Sequence, residues 1–421
     1  MRRMLARGAL PLLALLLAGA CRAAPASAPA ASDPLAAQAT AVRIAATPKD
    51  DFADLAPFGA AVGSARIVAL DEQTHGGHEE FVLKTRLLRY LHERLGFDVL
   101  VLESGFFDVG ELEQAGELKA RIADLAPNNI FYMYAKSAEG QAMLRYVDST
   151  RGTEHPLTLA GMDSQHSGAL SRSELVPQLA TFMGRYGSPA PTSPDWPGFA
   201  ATVAALVALQ PAPPPPADLA AFDRMSAQLD RELAADHETH SEIGSAGWWR
   251  RVVIDLQAQE QKLWTAPHGD ARDQAMGDNV VWIADHLVPG KRIVVWGHAI
   301  HLMHDAPDAA APPFAGTVVH RRFGADYHVA HFTGLAGRYI DYATLQPHDI
   351  PAAAPGTLEA RLAQQPGDAL FLAPPAKVSA DDPVARFFDY QPFFGPLPGR
   401  GVNWDSTFFI RQLTPVTMVS H

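Results

Sequence analysis

Several acidic and imidazole side chains follow directly after short apolar runs, and their types suit acid–base catalysis. His75 stands three residues after Glu72, at the end of the first run. Imidazole titrates near neutrality, so His75 could take a proton from a water molecule beside a carbonyl group. A neighbouring carboxylate would orient the ring and stabilise its protonated form. Three further apolar runs end on the same kinds of residue, which are Glu103, Asp163 with Gln165, and His298 with His301.

The first two of these runs belong to a predicted βαβ unit between residues 66 and 103. The runs 66–70 and 98–102 are too hydrophobic for half-exposed strands, which favours a parallel sheet covered on both faces. The carboxyl ends of such strands meet at one edge, where open α/β sheets bind their ligands. The helix between them is predicted to bury Phe81, Leu88, Leu91 and Leu95 and to expose Lys84, Arg89, Glu93 and Arg94.

The same pattern continues along the chain and predicts an α/β fold. Alternating strands and helices indicate three layers, α/β/α, around a mostly parallel central sheet. That topology would bring the four strand ends, and with them the acids and imidazoles, into one cleft. Further helices are predicted over 109–125, 138–149 and 271–287, and further strands over 157–163, 292–297, 327–332, 369–372 and 407–410.

Residues 184–265 differ in composition and are interpreted as an insertion. Scattered prolines and the proline-rich run 211–216 exclude a continuous helix or strand in its first part. A helical pattern follows over 218–263, which we expect to cap the edge of the sheet; outer-layer helices would give the same pattern. Trp248 in this region is predicted to contact the substrate, with packing inside the helical layer as the alternative.

The first residues have the composition of an export signal. Residues 1–20 combine arginines, an apolar stretch and small residues, and Cys21 follows where a bacterial lipoprotein is acylated. Residues 21–40 are predicted to form a tether and 41–421 the folded domain. We therefore expect an exported protein: a cell-envelope lipoprotein that meets the membrane only through Cys21, or a periplasmic protein.

Composition, cysteine count and a missing motif argue against several other classes of protein. A net charge of −12 and a hydrophobic content of 48% indicate a globular domain without a nucleic-acid partner. Cys21 is the single cysteine, so no disulfide can form within the chain. No Gly-x-Ser-x-Gly elbow occurs, which disfavours a serine nucleophile.

At this point the sequence resembles the erythromycin esterase family. The resemblance depends on an ordered set of motifs rather than on any one of them, and it extends from about residue 60 to 415. The motifs are Asp71-Glu72-Gln73-Thr74-His75-Gly76 with Glu79, Gly96-Phe97 leading to Glu103, Gly161-Met162-Asp163-Ser164-Gln165, Arg272-Asp273 with Met276 and Asn279, and Val295-Trp296-Gly297-His298-Ala299-Ile300-His301.

The resemblance implies an α/β protein that hydrolyses an ester or a macrolide-like lactone with an activated water, without a covalent acyl-enzyme. We expect no cofactor. Macrolide resistance would follow from such an activity. By motif position it makes His75 the general base and places Arg272 in the cleft together with Glu72, Glu103, His298 and His301. Asp163 is predicted to contact the substrate. The chain departs from the family pattern at Asp71, where the family usually has Gly, and at Ala299, where it has Asn; we expect Asp71 to add negative charge at the mouth of the cleft.

Two other functions fit the same residues. Glu72, His75, Glu103, His298 and His301 could be ligands of a divalent metal ion in a metal-dependent hydrolase or peptidase. The cleft could also bind a small ligand without turning it over, as part of a non-enzymatic envelope lipoprotein.

Overall fold

The structure is a computed structural model that describes residues 33–235, 241–304, 313–373, 386–388, 391–392 and 403–419. The predicted signal segment, Cys21 and most of the predicted tether lie outside the described residues. Among the helices within these ranges, none is both long and apolar enough to cross a bilayer.

A mixed nine-stranded sheet forms the centre of the molecule. In space the strands follow the order β1-β8-β11-β6-β2-β5-β3-β4, with β7 paired to β6, and β9 and β10 form a separate pair. Neighbours from β11 to β4 run parallel, whereas β8, β1 and β7 are antiparallel additions. The strands are β1 (Thr40–Val42), β2 (Ile67–Leu70), β3 (Phe97–Gly105), β4 (Thr158–Asp163), β5 (Arg292–Trp296), β6 (Tyr327–Ile340), β7 (Pro347–Asp349), β8 (Ala369–Leu372), β9 (Arg386–Phe388), β10 (Gln391–Pro392) and β11 (Ser406–Leu413).

Helices cover both faces of this sheet, so the predicted three-layer α/β architecture is confirmed. The predicted helix 109–125 is two helices, and the one predicted over 271–287 ends in a π-helical turn, Ile283–Leu287. The α-helices are α1 (Ala56–Val62), α2 (His78–Leu95), α3 (Phe106–Glu117), α4 (Ile122–Leu125), α5 (Tyr132–Lys136), α6 (Ala138–Thr150), α7 (Ala169–Ser173), α8 (Leu175–Arg185), α9 (Trp196–Val207), α10 (Pro216–Ala234), α11 (Ala246–Glu260), α12 (Ala271–Trp282), α13 (Ala299–Leu302), α14 (Ala315–Phe323) and α15 (Leu358–Leu362).

Strand β2 shows why both faces must be covered. All four of its side chains are buried, and they alternate between two hydrophobic clusters. Ile67 and Ala69 join the cluster on one face, and Val68 and Leu70 join the other. Because successive side chains of a strand point to opposite faces, a continuous apolar run needs a helical layer on each side.

The insertion 184–265 lies in the helical layer on one face. Its proline-rich part contains α9, which accommodates Pro197 in its first turn, where a proline costs no hydrogen bond. Phe199 and Phe222, from α9 and α10, stack with ring centroids 5.7 Å apart. Helix α10 packs against α9 and α11, and α11 packs against α12. The insertion is thus anchored by apolar packing to the rest of the layer.

The predicted tether ends earlier than residue 40. Ala36 is buried in the core, and Asp33 forms a salt bridge with Arg361. Thr40 begins β1, whose residues pair with β8. Residues 33–40 therefore belong to the folded domain, because they bury apolar surface and satisfy a strand edge.

A buried ion-pair network joins the segment before α1 to helix α2, and it yields a stability prediction. Arg86 Nε lies 2.6 Å from Asp50 Oδ2, and neither side chain is exposed. Replacing Arg86 by Met leaves the Asp50 carboxylate without its buried partner. We expect Arg86→Met to lower the free energy of unfolding by about 3 kcal/mol in urea titrations.

Arg89→Met on the same helix is the matched control. Arg89 is partly exposed and pairs with Glu93 at 3.1 Å. Its loss should change the free energy of unfolding by less than about 0.5 kcal/mol. Equal effects of the two substitutions would contradict a structural role for the Arg86 network.

Candidate active site

A cavity of about 270 Å³ opens at the carboxyl edge of the parallel strands. It lies where β2, β5, β3 and β4, which are neighbours in the sheet, end. The structure brings six of the predicted site residues together there: His75, Glu103, Asp163, Arg272, His298 and His301.

Glu72 is a predicted site residue that does not line the cavity but bonds His75, which does. Its Oε1 lies 2.6 Å from Nδ1 of His75 and accepts a hydrogen bond from Tyr134 Oη at 3.2 Å. Its Oε2 accepts a hydrogen bond from Nζ of Lys84. Burial alone would raise the pKa of Glu72, but Lys84 and His75 outweigh it and lower the pKa to about 2. Glu72 is therefore ionised at neutral pH, and it holds the His75 ring with the other nitrogen, Nε2, available to the cavity.

Lys84 is a residue of the site that our sequence interpretation placed on the wrong face of α2. Its side chain is 0% exposed and its Nζ lies 4.2 Å from the ring centroid of Trp296. Burial lowers the pKa of Lys84, and Glu72 opposes this effect. The signal was present in the spacing, since Phe81, Lys84 and Leu88 follow one another at three and four residues and so share the buried stripe.

His298 is held as a neutral imidazole. Its Nε2 lies 2.8 Å from the Gln73 carbonyl oxygen, and its Nδ1 accepts a hydrogen bond from the Ile300 N–H at 3.2 Å. Burial lowers the pKa of His298 well below its ordinary value, and the nearby His75 adds to the effect. Its Nε2–H is used by the backbone carbonyl of Gln73, so His298 is not placed to donate a hydrogen bond to an oxyanion.

Glu103 contacts both histidines that follow β5. Its Oε2 accepts a 2.6 Å hydrogen bond from the backbone N–H of His298, and its Oε1 lies 3.4 Å from Nε2 of His301. Gly297 makes this approach possible, because a Cβ at that position would lie 3.0 Å from Glu103 Oε2. Glu103 therefore fixes the β5–α13 turn that presents both histidines.

Asp163 and Arg272, which both line the cavity, form a bidentate ion pair. The two bonds join Nε to Oδ1 at 3.0 Å and Nη2 to Oδ2 at 2.7 Å. Burial alone would raise the pKa of Asp163, but Arg272 outweighs it and keeps the pKa below its usual value. The carboxylate predicted to contact the substrate is thus engaged in orienting Arg272.

His301 also lines the cavity, and its charge state differs from that of His298. Its Nδ1 lies 2.7 Å from Asp273 Oδ1, and its Nε2 lies 3.5 Å from Nη1 of Arg272. Burial alone would lower the pKa of His301, but Asp273 and Glu103 outweigh it and raise the pKa. When His301 is protonated, its Nε2–H and the Arg272 guanidinium are two adjacent donors, which is the arrangement that a developing oxyanion requires.

The alternative set of metal ligands does not fit a metal ion. Both carboxylate oxygens of Glu72 are hydrogen-bonded to side chains, and both ring nitrogens of His298 are bonded to the backbone. Within the described ranges, the carboxylates that converge closely enough to share an ion are those of Asp50, Asp51 and Asp54. Arg43 already bonds all three of these carboxylates.

The loop that carries His75 is held by the end of β6 and by the residues that follow β11. Gly76 O accepts hydrogen bonds from the N–H groups of Ile340 and Val416, at 3.1 and 3.0 Å. A Cβ on Gly76 would lie 1.8 Å from the Ile340 carbonyl oxygen, so only glycine allows the two backbones to meet. Thr414 binds the Glu79 carboxylate through its N–H and hydroxyl. These bonds fix the position of the loop that precedes α2.

Two further sequence interpretations are wrong in the structure. Trp248 is 1% exposed and packs between Phe106, at 5.8 Å, and Trp249, at 4.8 Å between ring centroids, so it belongs to the helical core rather than to the cavity. Asp71 is buried beside β6, where it bonds Nδ1 of His331 and the N–H of Phe332. It therefore adds no charge at the mouth of the cleft.

Sequence reasoning missed two aromatic residues that line the cavity. Phe131 precedes α5, and Tyr342 follows β6 in the turn before β7. Neither stands at the end of a predicted strand of the parallel sheet, which was the signal used to find the other residues. No local pattern distinguishes them from ordinary loop aromatics.

The fold is shared with solved structures of low sequence identity. A protein from Bacillus cereus has a TM-score of 0.72 at 20% identity, covering 92% of this chain and 98% of that one. A histidine-to-asparagine mutant of the erythromycin esterase EreC, in its open conformation, has a TM-score of 0.66 at 16% identity, covering 91% and 99%. At these identities the similarity establishes the fold alone.

Sequence comparison identifies the family. YbfO of Bacillus subtilis (strain 168), whose name describes it provisionally as a hydrolase, is 28% identical over 262 residues. The match covers 56% of this chain and 56% of YbfO, so it spans about half of that relative. Residues 92–394 match the family model described as erythromycin esterase; Glu103, Asp163, Arg272, His298 and His301 lie within this range, and Glu72 and His75 precede it. The chain belongs to the erythromycin esterase family.

Proposed function

We propose that this protein is a hydrolase that cleaves a carboxylic ester or lactone with a water molecule activated by His75. The observation that carries the proposal is that one cavity is lined by His75, which is paired with Glu72, and by the donors Arg272 and His301. Membership of the erythromycin esterase family and the hydrolase name of YbfO support the reaction class.

The reaction follows from the charge states of these groups. Nε2 of His75 takes a proton as the water oxygen attacks the carbonyl carbon, and Glu72 stabilises the resulting imidazolium. The carbonyl oxygen becomes an oxyanion that receives hydrogen bonds from Arg272 and protonated His301. The tetrahedral intermediate then collapses, and His75 returns its proton to the departing alkoxide. No bond forms between the protein and the acyl group.

The substrate and the cellular location belong to the same proposal. The family name and the solved esterase EreC suggest a macrolide lactone as one substrate, and macrolide resistance as its consequence. We place the protein in the cell envelope, anchored by an acyl chain on Cys21. In that case Cys21→Ser should move the protein from the membrane fraction to the soluble fraction on immunoblots, and an unchanged distribution would contradict the anchor.

The general-base assignment predicts the effect of removing one imidazole. His75→Ala should lower kcat for ester and lactone substrates by at least about a hundredfold, because it removes the imidazole that takes the proton from the water. His348→Ala, at an exposed position in β7, should leave kcat unchanged. Full activity of His75→Ala would refute the assignment, and loss of activity on chelation would favour the metal-dependent alternative.

Lys84 is predicted to sustain catalysis through Glu72. Without this cation, burial would favour a protonated Glu72, which could not stabilise the His75 imidazolium. Lys84→Met should lower kcat by about a hundredfold with little change in KM, as measured by steady-state kinetics. Lys291→Met removes an exposed lysine that is bonded to Asp98, and it should have no effect on kcat.

A second variant separates this effect from a loss of stability. The Lys84→Met protein leaves Glu72 as a buried acid without its cation, whereas the double variant Lys84→Met/Glu72→Gln removes both charges. The double variant should be more stable to urea than the single one and should remain inactive. Recovery of activity together with stability would show that Lys84 only supports the fold.

The protonation of His301 predicts that kcat falls on the alkaline side of its pH profile, the alkaline limb. As the pH rises through the raised pKa of His301, the remaining ring proton stays on Nδ1 against Asp273, so Nε2 no longer donates and kcat falls. Asp273→Asn removes a charge that raises this pKa, and the limb should therefore move to lower pH. Asp349→Asn, at an exposed ion pair with Arg338, should leave the limb where it is. An unmoved limb in Asp273→Asn would remove His301 from the proposed oxyanion site.

A further inference from the structure

The His75 ring is flanked by two aromatic side chains, Phe131 and Tyr342, which we call the aromatic wall. Phe131 meets the imidazole edge-on, with centroids 4.7 Å apart and an interplanar angle of 70°. Tyr342 does the same at 5.2 Å and 82°. The two aromatic rings are themselves 6.2 Å apart. The aromatic wall therefore lies beside the proposed base, at the point where a substrate carbonyl must be reached.

Tyr342 is held at this position by a structured turn between β6 and β7. Asp341 Oδ1 accepts hydrogen bonds from the Thr344 N–H at 2.7 Å and from its hydroxyl at 2.6 Å. The Asp341 N–H donates to the Gln346 carbonyl oxygen at 2.9 Å. Tyr342 nevertheless remains 39% exposed and lines the cavity, so a bound substrate can cover part of its surface.

The lining of the cavity is amphipathic. Ile130 and Ile300 contribute apolar surface together with the aromatic wall, and Arg272 contributes an ion-paired cation. A substrate that contacts both kinds of group must present a carbonyl oxygen to the charged groups and an apolar group to the rings. A short polar ester would leave the aromatic wall in contact with water.

The geometry points to Tyr342 and Phe131 as specificity-determining residues for esters or lactones that carry a bulky apolar ring next to the scissile carbonyl. This inference rests on the proposed ester hydrolysis and names its substrate class. The ring lies on the aromatic wall while the carbonyl oxygen faces Arg272 and His301. Binding covers the exposed face of Tyr342, so the ring contributes to affinity by burying apolar area.

Small matched esters test this inference by titration of the released acid. Ethyl acetate is compared with cyclohexyl acetate and with ethyl cyclohexanecarboxylate, which place the ring on the alcohol and on the acyl side. The wild-type protein should prefer at least one ring ester by about tenfold in kcat/KM. Tyr342→Ala should abolish most of that preference through KM, while Tyr342→Phe should keep it.

Leu345→Ala is the control at the same turn, because Leu345 is 46% exposed and does not line the cavity. Its preference for ring esters should equal that of the wild-type protein. A wild-type protein that hydrolyses all three esters without preference would overturn the inference and leave the proposed function standing. An unchanged preference in Tyr342→Ala would also overturn it. Failure to hydrolyse any ester or lactone would refute the proposed function itself.

Discussion

The buried pair of Lys84 and Glu72 is the interaction on which the rest of the site depends. A carboxylate at full burial is stable as an anion only beside a cation, and here that cation comes from the apolar stripe of α2. The pair sits at the end of β2, in the middle of the parallel sheet. Its charge fixes the orientation of His75, and every later step of the proposed reaction uses that orientation.

The three histidine rings at the sheet edge have different neighbours and therefore different environments. His75 has a carboxylate on one nitrogen and the cavity on the other. His298 has backbone groups on both nitrogens and is neutral. His301 faces Asp273 and Glu103, which favour its charged form. Residue type alone does not assign such roles, because burial and the nearest charges decide the protonation state.

The helical insertion contributes to the site through support rather than through direct contact. Gln259 of α11 binds both the N–H and the carbonyl oxygen of His166, in the loop that follows β4. Asn279 of α12, the helix against which α11 packs, donates to the Met162 carbonyl oxygen, next to Asp163. The apolar packing of this layer thus reaches the Asp163–Arg272 pair through hydrogen bonds to the end of β4.

The sequence by itself determined most strands of the sheet and the edge that carries the candidate site. The apolar runs that end on Glu72, Glu103, Asp163 and His298 mark both the strands and the polar groups at their ends. Tertiary structure decided the partners of those groups. Lys84 stands in an ordinary helical pattern and Tyr342 in an ordinary turn, so local spacing reveals neither residue's contact with the site. Trp248 is buried by packing that no local pattern specifies. A contact between residues far apart in the chain depends on how the layers pack, which local spacing does not encode.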